Sequence, residues 1–302
     1  MGAITLSAAA LSQYARFSLY NSPYPAHDAG CAIDLYPGTL RDGRTTAAPS
    51  PVSGIVRETK TVRAPSKPYA PAHDHLILLE PTDAADFVDA EPAECALEDL
   101  IVRILHVAPA VEAGDTVERG DSLGRLVRAG FFAPWVDNHL HVGVRGSGQN
   151  PYRASGSLPL EVGVDVEPLE WDGSGRVVST GDTYAVLDAP VHPALGEQFA
   201  GIASDAGDVL DGGLPHYDGG GLLGGSHSQP GSTTPVALNG DRLGSVAGRT
   251  VAWDDVTVLA NGEPITGLSF FCARDGDFGA KLICPETSFV EGETVKVRIR
   301  RP

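Results

Sequence analysis

The stretch LIVRILHVAPAVEAGDTVERGDSLGRLV, residues 100–127, contains the pattern that decides the fold of the first half of the chain. An apolar, β-branched run comes first, and two shorter apolar segments follow, each preceded by a Gly-Asp pair. Short apolar runs punctuated by Gly or Pro are typical of strands in antiparallel sheets. Residues 31–36, 51–58, 75–80 and 138–145 follow the same pattern. The first half is therefore predicted to be an antiparallel β-sheet domain without a long helix.

The chain of 302 residues is acidic and contains very little lysine. Its 39 acidic residues face 22 basic ones, which gives a net charge of −17, and only four of the bases are lysine. This composition is typical of halophilic proteins, because concentrated salt screens the repulsion between surface acids. An acidic protein from a GC-rich genome is the alternative. Because such a surface does not neutralise phosphates, neither nucleic acid nor a membrane is expected as a partner.

The composition predicts an all-β chain with two parts. The 36 glycines and 23 prolines favour short strands joined by many turns. We expect one domain over residues 1–150 and a β-rich region over residues 151–302. In the second part, residues 205–233 are so rich in glycine that they are predicted to be a long loop that packs no core. Hairpin turns are predicted at Asn239-Gly240 and Asn261-Gly262.

The sequence carries no signal for export or for membrane insertion. Its N-terminus has no basic region before an apolar stretch, and no apolar run reaches eighteen residues, so a cytoplasmic location is expected. The four cysteines show no CxxC spacing, and a chain of this size does not need a disulfide scaffold. Buried thiols are therefore expected, although a pair across a hairpin remains open for the last two. The cysteines are Cys31, Cys95, Cys272 and Cys284.

The pair His139 and His141 is the strongest local signal of a functional site. In a strand, alternate residues share a face, so both imidazoles project together while Leu140 points into the core. Two imidazoles on one face suit a zinc ligand beside a catalytic acid or base. The pattern is weak by itself, because His73 and His75 form a second such pair.

Two further polar residues interrupt the apolar pattern of the same predicted sheet, and a third lies in a loop that precedes it. Asp34 lies inside the strand CAIDLY, where an unpaired acid is too costly to bury and needs a cation. His27, seven residues earlier in a proline-flanked loop, can return to meet it. His106 interrupts the run IVRILHV in the same way. Each residue alone is better explained as an exposed or satisfied polar group, but together they indicate a site.

Four segments resemble, in this order, the successive blocks of the lysostaphin-type (LytM-like) zinc metallopeptidase family: AHDAGCAIDLYPG, APSPVSGIV, ILHVAPAVEAGDTVERGDSLGRL and NHLHVGVR. The resemblance covers about residues 20–146, and the acidic composition would suit a haloarchaeal member. It implies a sheet of the duplicated hybrid motif type, which lipoyl and biotinyl domains share. It also implies Zn2+ bound by His27, Asp34 and His141. His106 and His139 match the family's catalytic histidines.

One departure from the family's pattern lies in the first block. Most members place its histidine and aspartate four residues apart, whereas His27 and Asp34 are seven apart. Asp28 and Cys31 are alternative ligands, although Cys31 is expected to face away from Asp34 in a regular strand.

The resemblance implies an endopeptidase that hydrolyses a peptide bond, often beside glycine, in a peptide substrate. His139 would be the general base, and His106 would stabilise the oxyanion or protonate the leaving amine. A non-enzymatic protein that binds zinc or another ligand on the same fold is the alternative. A purely structural β-module, which would bind no metal, is a third interpretation.

Two other activities are excluded by missing residues. A biotinyl or lipoyl carrier needs a lysine at a hairpin tip, but none lies between Lys67 and Lys281. A serine hydrolase of the α/β type needs a GxSxG motif, which the sequence lacks. Residues after 150 are interpreted either as a substrate-selecting module or as a structural extension. In that region His216 is predicted to lie in a solvated loop, with a lid over the site as the alternative.

Overall fold

The computed structural model describes residues 2–88, 96–224 and 233–301. Strands dominate it, and the helices in these ranges are single turns of three or four residues. The prediction of an all-β chain without a long helix is therefore confirmed. In the described part of the chain, no helix has the length and apolar character needed to cross a membrane. The helical turns are α1 (Ala8–Leu11), α2 (Pro25–Asp28) and the 3₁₀ turns Ala84–Asp86 and Leu97–Asp99.

The chain forms two compact units, which do not follow a simple cut in the sequence. The first unit contains Met1–Phe17 and Gly30–Val164, and the second contains Ser18–Ala29 and Asp165–Pro302. The strands of the first part of the chain are β1 (Ile4–Ser7), β2 (Arg16–Ser18), β3 (Ile33–Tyr36), β4 (Ala47–Pro49), β5 (Gly54–Arg63), β6 (His73–Pro81), β7 (Phe87–Val88), β8 (Ile101–Leu105), β9 (Val107–Pro109), β10 (Thr116–Val117), β11 (Ser122–Leu126), β12 (Leu140–Arg145) and β13 (Leu160–Gly163).

The largest sheet of the first unit has the strand order β10-β5-β6-β8-β12-β3-β2, and two three-stranded sheets, β13-β1-β7 and β4-β11-β9, accompany it. Its strands β5, β6, β8, β12 and β3 pair antiparallel in succession. His141 on β12 lies opposite Asp34 on β3 and opposite Leu105 on β8. Leu105 in turn lies opposite Leu76 on β6. Because directly opposite residues share a face of the sheet, Asp34, His141, Leu105 and Leu76 all lie on the same face.

The second unit contains one long sheet with the order β20-β21-β22-β19-β18-β25-β27-β16-β15-β28-β23-β24. A parallel pair of β14 and β17, with β26 beside β17, lies in the same unit. The strands are β14 (Val166–Leu169), β15 (Ser174–Gly181), β16 (Tyr184–Leu187), β17 (Phe199–Ile202), β18 (Val209–Leu214), β19 (Gly219–Leu223), β20 (Thr234–Leu238), β21 (Asp241–Ala247), β22 (Thr250–Trp253), β23 (Thr257–Ala260), β24 (Glu263–Ile265), β25 (Gly267–Phe270), β26 (Cys272–Ala273), β27 (Lys281–Ile283) and β28 (Thr294–Arg300).

The two predicted Asn-Gly turns are confirmed. Asn239 and Asn261 have φ angles of 56° and 52°, and the glycine that follows each has a φ of 81° or 92°. Left-handed backbone at both central positions is the geometry of a type I′ turn, which joins the strands of a tight hairpin. These turns connect β20 to β21 and β23 to β24.

The prediction that residues 205–233 form a loop without a core is wrong for the described part of that stretch. β18 and β19 form a buried antiparallel hairpin there. Its glycines make room for aromatic rings: a Cβ at Gly220 would lie 2.3 Å from the ring of Trp253, and a Cβ at Gly221 would lie 2.2 Å from the ring of Tyr20. Glycine is required here for close packing rather than for flexibility. Residues 225–232 of the tract lie outside the described residues.

The cysteines form no disulfide where the structure describes them. Cys272 and Cys284 are buried and unpaired with each other, so the open question of a disulfide between them is answered. Cys31 is not part of a disulfide and is only half-buried, which differs from the expectation of a buried thiol. Cys95 lies outside the described residues.

Candidate functional site

Asp34 is the centre of a cluster of buried polar side chains on the main sheet of the first unit. Its Oδ1 lies 3.0 Å from Nδ1 of His141, and its Oδ2 lies 3.4 Å from Nε2 of His139. All three side chains are buried. Because strands alternate their faces, Leu35 and Leu140 point away from these groups and into the core. A single carboxylate therefore faces both histidines of the HxH pair.

His27, the third predicted metal ligand, lies in the second unit, whereas Asp34 and His141 lie in the first. All three residues are buried. His27 lies in the helical turn α2, and its Nδ1 is 2.7 Å from the carbonyl oxygen of Leu19. Since a carbonyl only accepts hydrogen bonds, Nδ1 carries the proton, and a neutral ring presents its free electron pair at Nε2.

The alternative ligands suggested by the seven-residue spacing are less buried than His27. Asp28 follows His27 directly but its side chain is exposed, and Cys31 is only half-buried.

His139 is oriented by the residues that precede β12. Its Nδ1 lies 2.9 Å from the backbone oxygen of Asp137, so this nitrogen donates and Nε2 is the atom directed toward Asp34. The carboxylate of Asp137 forms a buried ion pair with Arg16 at 3.1 Å. The guanidinium group of Arg16 also lies 4.6 Å from the centre of the Tyr36 ring. The bond to the backbone oxygen fixes the tautomer of His139, and the contacts of Arg16 fix the position of Asp137.

His106 forms a second histidine–carboxylate pair. It lies between β8 and β9 and has a φ of 73°, a left-handed backbone conformation that costs energy for a residue other than glycine. Its Nδ1 lies 2.6 Å from Oδ2 of Asp74, a residue of β6 that is completely buried. The ring centre of His106 lies 5.1 Å from that of His139 and 5.8 Å from that of His141. The four predicted residues Asp34, His106, His139 and His141 thus lie together.

Asp74 is a site residue that the sequence analysis missed. Burial opposes its ionisation, but the charge and hydrogen bond of His106, together with the backbone N–H of His75, lower the pKa of Asp74 below its ordinary value. The available signal was an acid in the apolar strand HDHLILLE, on the same face as Leu76 and Leu78. The sequence analysis identified only the histidines on either side of Asp74, His73 and His75, of which His73 is exposed.

An aromatic side chain covers the histidines. The ring of Phe132 stacks on His139 with 4.4 Å between ring centres, and it meets His106 edge-on at 4.6 Å. Tyr69 donates a hydrogen bond of 2.7 Å to the backbone oxygen of Phe132, and the guanidinium of Arg128 lies 5.0 Å from the centre of the phenyl ring. Phe132 is itself buried. In this conformation the cluster is closed to solvent.

His216 differs from both expectations for it. Neither a solvated loop nor a lid describes its place, because its ring packs on the backbone of Gly213 and Gly267 within the second unit and contacts the ring of Tyr217. Burial lowers the pKa of His216 to about 4. The residue is neutral at ordinary pH and forms part of the packing of this unit.

The donor set around Asp34 fits zinc better than the other common metal ions. Imidazole nitrogens with one carboxylate are ligands that zinc prefers, whereas calcium and magnesium prefer oxygen donors alone. Three protein ligands leave a fourth coordination position open, which is the arrangement of catalytic zinc sites. The remaining histidines, His106 and His139, lie beside this set and could transfer protons there.

Two family models match the chain. The "Domain of unknown function (DUF8155) N-terminal domain" matches residues 5–162, and the corresponding "C-terminal domain" matches residues 167–300. No curated protein matches the chain. The solved structure titled "Structure of the SpoIIQ-SpoIIIAH pore forming complex" is similar to this chain at 14% identity over 49% of this chain and 87% of that chain. The TM-score of 0.27 is too low to indicate a shared fold. Because the N-terminal family model alone matches more than half of the sequence, the chain belongs to the DUF8155 family.

Proposed function

We propose that this protein is a zinc-dependent endopeptidase that hydrolyses a peptide bond, with glycine-containing peptides as the substrate class. The observation that carries the proposal is a buried carboxylate, Asp34, that faces His139 and His141 beside the His106–Asp74 pair. A buried acid in contact with imidazoles is the arrangement expected of a metal site.

In this proposal His27, Asp34 and His141 hold zinc. His27 offers Nε2, because its Nδ1 donates to a backbone carbonyl. His141 offers Nδ1, the atom that contacts Asp34. When bound at three such ligands, zinc activates water as a nucleophile and polarises the carbonyl group of the substrate.

His139 acts as the general base. Its Nδ1–H is committed to the backbone oxygen of Asp137, so the free electron pair at Nε2 can accept a proton from the attacking water. Because its hydrogen-bond partner is a neutral carbonyl group, the ring needs no charge before the reaction.

His106 acts as a hydrogen-bond donor and general acid. In its protonated form, the buried carboxylate of Asp74 balances the charge of the ring, and Nε2–H can stabilise the oxyanion or protonate the leaving amine. Asp74 is the positioning residue for this group, since its hydrogen bond of 2.6 Å fixes the tautomer and orientation of the imidazole.

Metal analysis combined with a peptide assay tests the proposal. The full chain, purified in concentrated salt, is expected to contain one zinc ion and to hydrolyse glycine-rich peptides in a reaction that a chelator stops and added zinc restores. His141→Ala is expected to lose both the metal and the hydrolysis. A wild-type protein that binds no zinc, or a His141→Ala variant that keeps full zinc, would overturn the proposal.

A non-enzymatic zinc-binding protein is the second candidate. The observation that favours it is the closure of the cluster, in which each of the histidines is buried and Phe132 covers His139. A substrate reaches such a site only if the aromatic cover moves. Stoichiometric zinc without hydrolysis in the wild-type chain and in Phe132→Leu would support this second candidate.

A further inference from the structure

The second unit contains a buried carboxylate whose partners lie in the segment that precedes His27. Asp211, on β18, has no exposed surface. Its Oδ1 accepts a hydrogen bond of 2.5 Å from the hydroxyl of Ser18, and its Oδ2 accepts bonds of 2.6 Å and 3.3 Å from the backbone N–H groups of Leu19 and Tyr20. One acid thus binds three consecutive residues at the end of β2 and directly after it.

Apolar packing strengthens the same attachment. The ring of Tyr20 lies directly on Gly221 of β19, where no side chain beyond hydrogen fits. Gly221 pairs with Asp211 across the β18–β19 hairpin. The glycine-rich hairpin therefore holds the segment with a carboxylate on one of its strands and with a glycine surface on the other.

The held segment contacts the imidazole of His27 directly. The carbonyl oxygen of Leu19 lies 2.7 Å from Nδ1 of His27 and accepts its proton. The N–H group of the same leucine donates to Asp211. Leu19 is therefore fixed on one side by the acid and orients the histidine on the other. A hydrogen bond to a backbone carbonyl at the distal nitrogen is the usual way in which a protein sets the tautomer of a metal-binding histidine.

We propose that Asp211 is a positioning residue for the metal site: by fixing Leu19, it holds His27 in the tautomer and orientation that offer Nε2 to zinc. This inference rests on the proposed role of His27 as a ligand. It gives the glycine-rich hairpin a function, because the hairpin supplies the outer shell of one metal ligand. Burial of a carboxylate costs free energy, which a purely structural position could avoid with an apolar side chain.

Zinc affinity in three variants of the full chain tests the inference. Asp211→Ala removes all three acceptor bonds, and loss of an outer-shell partner is expected to weaken zinc binding by roughly 10- to 100-fold. Asp211→Asn can keep a hydrogen bond to each of the three partners, because its carbonyl oxygen accepts from both N–H groups and its NH2 group donates to the hydroxyl oxygen of Ser18. Its zinc affinity is therefore expected within about threefold of wild type. Leu210→Ala, a buried neighbour that points to the opposite face of β18, controls for general destabilisation. Its affinity is expected to be unchanged although its melting temperature falls.

A second measurement does not depend on the metal. Nitrogen-15 NMR of the imidazole groups in metal-free protein is expected to show His27 protonated at Nδ1 in wild type and in Asp211→Asn. In Asp211→Ala the ring is expected to populate both tautomers. A purely structural role of Asp211 would change the melting temperature but not the tautomer of His27. The NMR measurement therefore separates positioning from structural support.

The outcomes separate this inference from the proposed function. Suppose that wild type binds zinc and that His27→Ala lowers the zinc affinity. If Asp211→Ala then binds zinc as tightly as wild type and keeps His27 protonated at Nδ1, the positioning role is overturned and the zinc site stands. If wild type binds no zinc, both fail. If Asp211→Ala does not fold, Ser18→Ala replaces it, with an expected weakening of about threefold. An unchanged affinity in that variant would also overturn the inference.

Discussion

Asp74 in the first unit and Asp211 in the second are both completely buried carboxylates, but their partners differ in kind. Asp74 accepts from the imidazole of His106, which can carry a positive charge, and its pKa lies below the ordinary value. Asp211 accepts from a hydroxyl and two backbone N–H groups, and burial raises its pKa to about 7 despite these bonds. Neutral dipoles do not offset the loss of hydration in the way that a charge does.

This difference distinguishes the proposed metal site from the hairpin that holds the segment before His27. Asp34 resembles Asp74, because its contacts are also imidazoles, and such groups can exchange hydrogen bonds for metal or proton binding. Asp211 is bound to a hydroxyl and two main-chain N–H groups, which are not metal ligands or proton carriers of this kind. Carboxylates opposite histidines are therefore expected to control chemistry, whereas the carboxylate opposite backbone is expected to control geometry and stability.

The largest effect is expected from Asp34→Asn. The substitution keeps the shape of the side chain but removes the charge that would bind the metal, so stoichiometric zinc and all zinc-dependent hydrolysis are expected to be lost. Metal analysis of the purified variant measures this directly. His73→Ala, which removes an exposed histidine of β6, is the control and is expected to keep full zinc. Full zinc in Asp34→Asn would assign the metal to other residues.

His139→Ala is expected to keep its zinc while hydrolysis falls by roughly 10²- to 10⁴-fold, the contribution typical of a general base. The variant distinguishes the two histidines of the HxH pair, which both contact Asp34. Zinc content and the rate constant kcat are measured on the same sample. Loss of zinc together with activity would mean that His139 is a ligand, and the roles of His139 and His141 would then be exchanged.

The sequence was a good guide to the site where polar residues break an apolar strand pattern. Asp34, His106, His139 and His141 each do so, and the register of the sheet brings these four together. The same physical signal marks Asp74, but two flanking histidines obscured it. The conformation of His106 could not be predicted, because a positive φ outside glycine depends on tertiary contacts.

Prediction failed in the glycine-rich tract for a different reason. The tract was predicted to be too rich in glycine to pack a core, whereas the glycines of β18 and β19 admit the rings of Tyr20 and Trp253 against the backbone. The partners of these glycines are distant in sequence, so local composition cannot reveal them. The role of Asp211 was hidden by the same long-range pairing, since its partners lie more than 190 residues earlier.

The pH dependence of stability is expected to differ in sign between the two acids. Between pH 4 and 7 the folded chain keeps a proton on Asp211 that the unfolded chain releases, so this residue makes stability fall as pH rises, by roughly 4 kcal/mol over the range. Asp211→Asn is expected to remove this decrease, as measured by denaturant unfolding at several pH values. Asp74→Asn is the matched comparison. Because its pKa is lowered in the folded chain, the Asp74 carboxylate stabilises the fold above about pH 4, and this stabilisation is lost as the pH falls. The substitution is therefore expected to lower stability at neutral pH. Equal slopes in wild type and Asp211→Asn would contradict the raised pKa.

The smallest effect is expected from Phe132→Leu, which tests whether the proposed metal site is closed by its aromatic cover. A stacked aromatic pair contributes about 0.5–1.5 kcal/mol beyond its buried area, so removing the stack on His139 is expected to speed the extraction of zinc by a chelator about two- to tenfold. Stopped-flow measurement with a chromophoric chelator gives this rate. Phe278→Leu, a buried phenylalanine of the second unit, controls for the general loss of packing and is expected to leave the rate unchanged. If both variants release zinc at the wild-type rate, movement of Phe132 does not limit access, and the closed cluster must exchange its metal by another route. Faster release together with faster peptide hydrolysis in Phe132→Leu would identify the ring as the barrier that substrate and chelator share.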